Sequence, residues 1–146
     1  MQTFVFDIET LPAPESSYEV LRTLYDKKCE KEHQKAVADG LVVAEKTSEE
    51  IEKGFADYVA KTSFDGAFGR VLCIAYGLND MPIQVICNPD DEKKTLEEFW
   101  RVVTNIDLFI GHNIMEFDLR FLLQRSIILG VKPSWNRFEI PGVKPW

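Results

Sequence analysis

The stretch Phe4-Val5-Phe6-Asp7-Ile8-Glu9-Thr10 limits most tightly what this chain can become. Three apolar residues in a row, two of them aromatic, predict a buried central strand. Asp7 and Glu9 then stand two positions apart at its end, and residues i and i+2 of a strand share a face. Two carboxylates aimed at one point repel and raise each other's pKa, unless a cation lies between them. Oxygen-only donors select a hard divalent ion, magnesium or manganese, over zinc. Leu11-Pro12 stops the strand, because proline cannot continue a central ladder. Taken alone, an Asp-x-Glu also reads as a strand running into an acidic turn, so the rest of the chain has to decide.

A length of 146 residues with 45% apolar and 28% charged side chains predicts a single globular domain with material for a core. No apolar run approaches the roughly 20 residues of a membrane helix. Cys29, Cys73 and Cys87 are odd in number and lack metal-site spacing, which fits reduced thiols and a cytoplasmic location. Cys73 and Cys87 are expected on paired strands, in a structural role. The net charge of −7 argues against a protein that coats nucleic acid generically. The acid excess lies before residue 100, and from Arg101 onward basic side chains outnumber acidic ones.

Helical periodicity runs from about Ser17 to Asp39, with Tyr18, Leu21, Leu24 and Tyr25 as one stripe and Gly40 as the C-cap. The box Thr47-Ser48-Glu49-Glu50 opens a second helix with Ile51, Phe55, Tyr58 and Val59 on one face. Together these helices form an insertion over about residues 15–62. Arg70–Gly77 and Pro82–Cys87 predict an antiparallel hairpin. Thr95 to Glu98 reads as a capping box for a third helix with Leu96, Phe99, Trp100 and Val103 inward. Asp107–Asn113 predicts a short buried strand, and a fourth helix is expected from about Ile114 to Leu129. Asn113 is its expected N-cap, with Glu116 as the reciprocal partner, and Gly130 its C-terminal stop. The expected fold class is α/β with a mixed sheet, and ligands of such sheets gather beyond strand ends. Asp118 would face solvent at the edge of the sheet, and would join Asp7 and Glu9 if the first and fourth strands are neighbours.

Phe6-Asp-Ile-Glu-Thr10 resembles the first motif of the DEDD superfamily of 3′–5′ exonucleases, and Gly111-His-Asn-Ile-Met-Glu-Phe-Asp118 resembles the second. The nearest resemblance is to bacterial and phage exonucleases related to the proofreading domain of family-B DNA polymerases. It runs from residue 3 to about 130, the helical insertion excepted. The resemblance implies a ribonuclease-H-like mixed sheet flanked by helices. It implies that Asp7, Glu9 and Asp118 are the catalytic, metal-holding residues for two Mg2+ or Mn2+ ions. Its substrate would be a single-stranded DNA 3′ end, with RNA possible. Thr10 and Leu11 would lie against the terminal nucleotide, and Asn113 and Phe117 join them as substrate-binding candidates, although Asn113 reads first as a cap. His112 is expected to be structural, and His33 to be on the surface.

The third motif of that superfamily, a Tyr or His followed by the fourth carboxylate, is missing. After Asp118 there is no Asp and one Glu, Glu139. The final strand and helix of the fold are also unaccounted for, and Trp135, Phe138 and Trp146 read as surface awaiting a cover. The chain is therefore expected to continue in a longer protein and to be a weak nuclease alone. A catalytically impaired ribonuclease-H-like module that binds nucleic acid or protein is the rival reading. An aspartyl-phosphate phosphatase would need an Asp in place of Glu9 and a downstream lysine motif, and the sequence offers neither.

Overall fold

A computed structural model describes residues 1–134. Trp135, Phe138, Glu139 and Trp146 lie outside the described residues. Four strands form one sheet: β1 (Thr3–Leu11), β2 (Arg70–Leu78), β3 (Gln84–Cys87) and β4 (Leu108–Ile110), in the order β3-β2-β1-β4. β1 runs antiparallel to β2 and parallel to β4, and β2 runs antiparallel to β3. β3 and β4 therefore point the same way on opposite edges, and the chain between them must cross the sheet. It does so through α3 (Glu92–Val102). α4 (Asp118–Leu129) follows β4.

The alternation of β1 decides which face is covered. Phe4, Phe6 and Ile8 are buried, while Val5, Asp7 and Glu9 are exposed. The expected buried strand is thus covered on one face. The reason lies in the connections: Leu96, Phe99 and Trp100 of α3 join Leu119, Phe121 and Leu122 of α4 in the same core as Phe4, Phe6 and Ile8. The Phe4 ring stacks on Tyr76 with centroids 5.1 Å apart, and Phe6 meets Phe99 at 5.5 Å. β4 also departs from expectation. It is three residues long, and Leu108 and Ile110 are exposed, because their side chains point to the open face.

Residues 15–62, expected to be an insertion, carry α1 (Tyr18–Ala38) and α2 (Ser48–Ala60). Thr47 caps α2 reciprocally with Glu50, as its sequence predicts. Gly40, with φ of +77°, ends α1 in a left-handed turn. There the Leu41 N–H donates to the Ala36 carbonyl, and the Gly40 N–H to that of Val37. Of the predicted α1 stripe, Leu21 and Tyr25 are buried, whereas Tyr18 and Leu24 remain partly open. Ala13, Leu21 and Val59 make a small separate core with Phe55, Tyr58 and Phe68. Thr62 ties this unit to the sheet. Its hydroxyl donates to the Val59 carbonyl (2.6 Å) and accepts the Ala13 N–H (2.8 Å).

Two helix starts differ from the sequence reading. α3 begins three residues before Thr95, capped by the Asp91 carboxylate, which accepts the Lys94 N–H at 3.0 Å. Thr95 is fully buried instead, and its hydroxyl accepts the Asn88 N–H at 3.2 Å. α4 begins at Asp118, not at Ile114. Asn113 takes a left-handed conformation (φ of 53°), which a helix N-cap does not use. Its carbonyl accepts the N–H groups of Glu116 and Phe117, closing a separate turn ahead of the helix.

One buried ion pair spans the elements. Arg125 of α4 donates through Nε and an Nη to the two carboxylate oxygens of Glu92, each at 2.8 Å. Glu92 also accepts the Val71 N–H of β2, and Arg125 reaches the Gly66 carbonyl. Helix α3, helix α4, β2 and the end of the insertion meet there.

Candidate active site

β4 pairs with β1 only over Thr3–Val5, so beyond Val5 no strand among the described residues lies beside this edge of β1. The first turn of α4 fills part of that gap. Asp118 Oδ1 accepts the Ile8 N–H at 3.2 Å. The side chain is 2% exposed, so the expectation of a solvent-facing Asp118 is corrected. The preceding turn explains the difference, since Asn113–Phe117 displaces the helix start until Asp118 points into the β1 edge.

Burial pushes the Asp118 carboxyl above the usual range, and the negative charge of Asp7 pushes it further. The Ile8 N–H, its own backbone N–H and His112 act in the opposite direction. Asp7, Asp118 and His112 therefore share one electrostatic neighbourhood. Asp7 and His112 also line one hollow of about 380 Å³, whose apolar wall includes Val5, Ala75 and Ile83. Gly111 permits this approach. A Cβ there would clash with Ile114 and stand 2.8 Å from the Phe6 carbonyl. His112, set aside as structural in the sequence reading, is exposed at this hollow. Its place directly after a glycine at a strand end was the available signal.

Glu9 sits on the same face as Asp7 but has a different neighbour. It pairs in register with Cys73, and its charge, after burial and Cys87, helps to raise the Cys73 thiol. The ladder slips between Glu9 and Thr10, where β2 carries one extra residue. Such bulges re-aim side chains beside sites. Cys73 and Cys87 stand opposite one another as free thiols, on paired strands as anticipated.

The carboxylates suit a hard divalent cation in donor chemistry, and the Asp7–Asp118 repulsion is what such a cation would relieve. Among the described residues, no three such side chains converge on one point. The structure thus brings Asp7 and Asp118 together and leaves Glu9 one step along the same face. Of the remaining candidates, Thr10 donates its hydroxyl to the Ser63 carbonyl at 2.7 Å, which anchors the insertion. Leu11 is half-buried, and Asn113 is an exposed turn residue. Phe117 is half-buried between the rings of Phe64 (6.3 Å) and Phe121 (5.7 Å).

The model of the family B DNA polymerase exonuclease domain matches residues 3–144. The chain belongs to that exonuclease-domain family. Among solved structures, it is similar to the family B DNA polymerase of the hyperthermophilic archaeon Pyrobaculum calidifontis. The TM-score is 0.53 and the identity 17%, over 94% of this chain and 12% of that one. The likeness confirms the ribonuclease-H-like mixed sheet. The chain spans only that 12% of the polymerase's length. No curated protein matches it.

The raised carboxyl of this exonuclease-family domain gives a prediction. The folded pKa of Asp118 lies above its unfolded value, so its contribution to stability is present below the unfolded pKa and is lost as pH rises through the folded one. Asp118→Asn mimics the protonated side chain. Without metal, the variant should gain stability relative to the wild type as pH is raised from about 4 to 7. Urea unfolding across that range checks it, and a difference that stays flat or runs the other way would show that neither burial nor the Asp7 charge raises the Asp118 carboxyl.

Proposed function

We propose that this domain hydrolyses phosphodiester bonds from single-stranded DNA 3′ ends, with Asp7, Glu9 and Asp118 holding Mg2+ or Mn2+. The observation that carries the reading is the buried Asp118 carboxylate held by the Ile8 N–H, next in β1 to the exposed Asp7, within a chain of the exonuclease-domain family. When bound, the ions would activate water and neutralise the leaving oxygen. The residues of this chain supply the rest. Asp118 is fixed by the Ile8 N–H, so its second oxygen keeps one direction. Asp7 brings negative charge beside it without burying it. The Thr10–Ser63 bond holds the end of β1 rigid, which matters because phosphoryl chemistry depends mainly on positioning and charge.

A second reading has its own support. Among the described residues, no three His, Cys, Asp or Glu side chains converge on one point. That fits a module that binds a 3′ end and turns over slowly, since an unpositioned acid–base group typically lowers rate about 10²–10⁴-fold. The deciding experiment follows 5′-labelled single-stranded DNA and RNA with Mn2+, Mg2+ or EDTA. Metal-dependent shortening one nucleotide at a time supports the nuclease. Binding with no shortening in any metal supports the module.

A further inference from the structure

Cys73 of β2 and Cys87 of β3 stand opposite one another in the antiparallel ladder, both as free thiols. Their neighbours in that ladder, Ile74 and Ile86, are buried in the main core. Successive strand residues point to opposite faces, so both sulfurs project from the other face of the sheet. There the Cys73 and Cys87 side chains are hydrogen-bonded to each other. Cys87 is exposed and Cys73 half-buried, so a small solute reaches the pair from the Cys87 side. On its other flank Cys73 lies opposite Glu9 of β1.

Opposed residues of an antiparallel pair hold their Cα atoms about 4.5 or 5.5 Å apart. A disulfide needs about 4.4–6.8 Å, which the strand pairing already meets. A structural zinc fits less well, because such sites take four donors and no three His, Cys, Asp or Glu side chains converge among the described residues. We propose that Cys73 and Cys87 are a thiol–disulfide exchange site for small-molecule disulfides, such as oxidised glutathione, that closes to a bridge across the β2–β3 hairpin. The Cys87 thiol gives its proton to solvent, and its sulfur attacks one sulfur of the small disulfide. A mixed disulfide forms, and one small thiolate leaves and takes up a proton. Cys73 loses its proton in the same way and attacks the Cys87 sulfur, so that the Cys73–Cys87 bond forms and the second small thiol is released. Two protein thiols are thereby oxidised, and the small disulfide is reduced to two thiols. The second step is intramolecular, so the mixed disulfide does not accumulate. A bridge at an exposed position is of the labile kind that thiols reduce again.

The exchange needs neither metal nor nucleic acid, so it is tested on the protein alone. Folded wild type, Cys29→Ser, Cys73→Ser and Cys87→Ser are incubated with oxidised glutathione in EDTA. Free thiols are then titrated, and disulfides are located by mass mapping of non-reduced peptides. Cys29 is the internal control, since it lies on α1 beside the Tyr25 hydroxyl. The wild type should fall from three free thiols to one, with Cys73 joined to Cys87 and the protein still a monomer on a non-reducing gel. Dithiothreitol should restore all three. Cys29→Ser should bridge as the wild type does. Cys73→Ser should stop at a glutathione adduct on Cys87, because no second sulfur displaces the small thiol, and Cys87→Ser should form no bridge. A wild type that keeps its three thiols, or carries a lasting adduct on Cys87 without a bridge, would overturn the proposal. A bridge to Cys29 or disulfide-linked dimers would overturn it equally.

Discussion

Replacing Glu92 with alanine is expected to destabilise the domain by about 3–5 kcal/mol and to lower its Tm by roughly 10 °C or more. Arg125 and Glu92 are 8% and 13% exposed, so neither charge is effectively solvated once its partner is gone. Removing the carboxylate strands the guanidinium inside the protein and takes the acceptor from the Val71 N–H. Surface pairs elsewhere in the chain behave differently. The Arg22–Glu52 pair is a contact between solvent-exposed side chains, and its loss should leave stability almost unchanged. Glu92→Ala and Glu52→Ala, unfolded side by side in urea, give the comparison. Equal, small losses would mean that the Arg125–Glu92 pair is screened by water, contrary to its burial.

The other large effect concerns chemistry. Asp7→Ala should reduce any metal-dependent shortening of single-stranded DNA by at least about 10²–10³-fold, the scale seen when one preorganised electrostatic group is lost. The same substitution should leave stability nearly intact, because Asp7 is exposed and anchors no hydrogen bond in the core. Relief of its repulsion with Asp118 should give a small gain in stability without metal. End-labelled oligonucleotide digestion with Mn2+ measures the rate. Retention of wild-type rate by Asp7→Ala would place the chemistry elsewhere, with His112 at the head of the alternatives.

Local rules carried much of the architecture. Alternation in Phe4–Glu9 located β1, and the Thr47–Glu50 box and Gly40 located helix ends, because each acts through residues a few positions apart. The misplaced starts of α3 and α4 have a different origin. Asp91 and Thr95 are both acceptable caps, and the choice was made by burial of Thr95 under Asn88, a tertiary event. Asn113 looked like a cap, but its left-handed backbone belongs to a turn that the Gly111 approach to β1 requires. The burial of Asp118 depends on β4 ending at Ile110, which leaves the Ile8 N–H in need of a partner. No sequence window contains both ends of that relation. The two carboxylates at the end of β1 were legible as a pair. That Glu9 lies opposite Cys73 and Asp7 opposite Ala75 followed from the register of β1 and β2, which the sequence alone does not set.

The proposed cation site at Asp7 and Asp118 is tested most directly by thermal unfolding of the wild type, Asp7→Ala and Asp118→Asn across a manganese titration at pH 7. A cation that binds only the folded state adds stability by mass action, about 2.7 kcal/mol at a hundredfold excess over Kd. Tm should climb with Mn2+ in the wild type and stay nearly level in both variants. Equal climbs in all three proteins would contradict it.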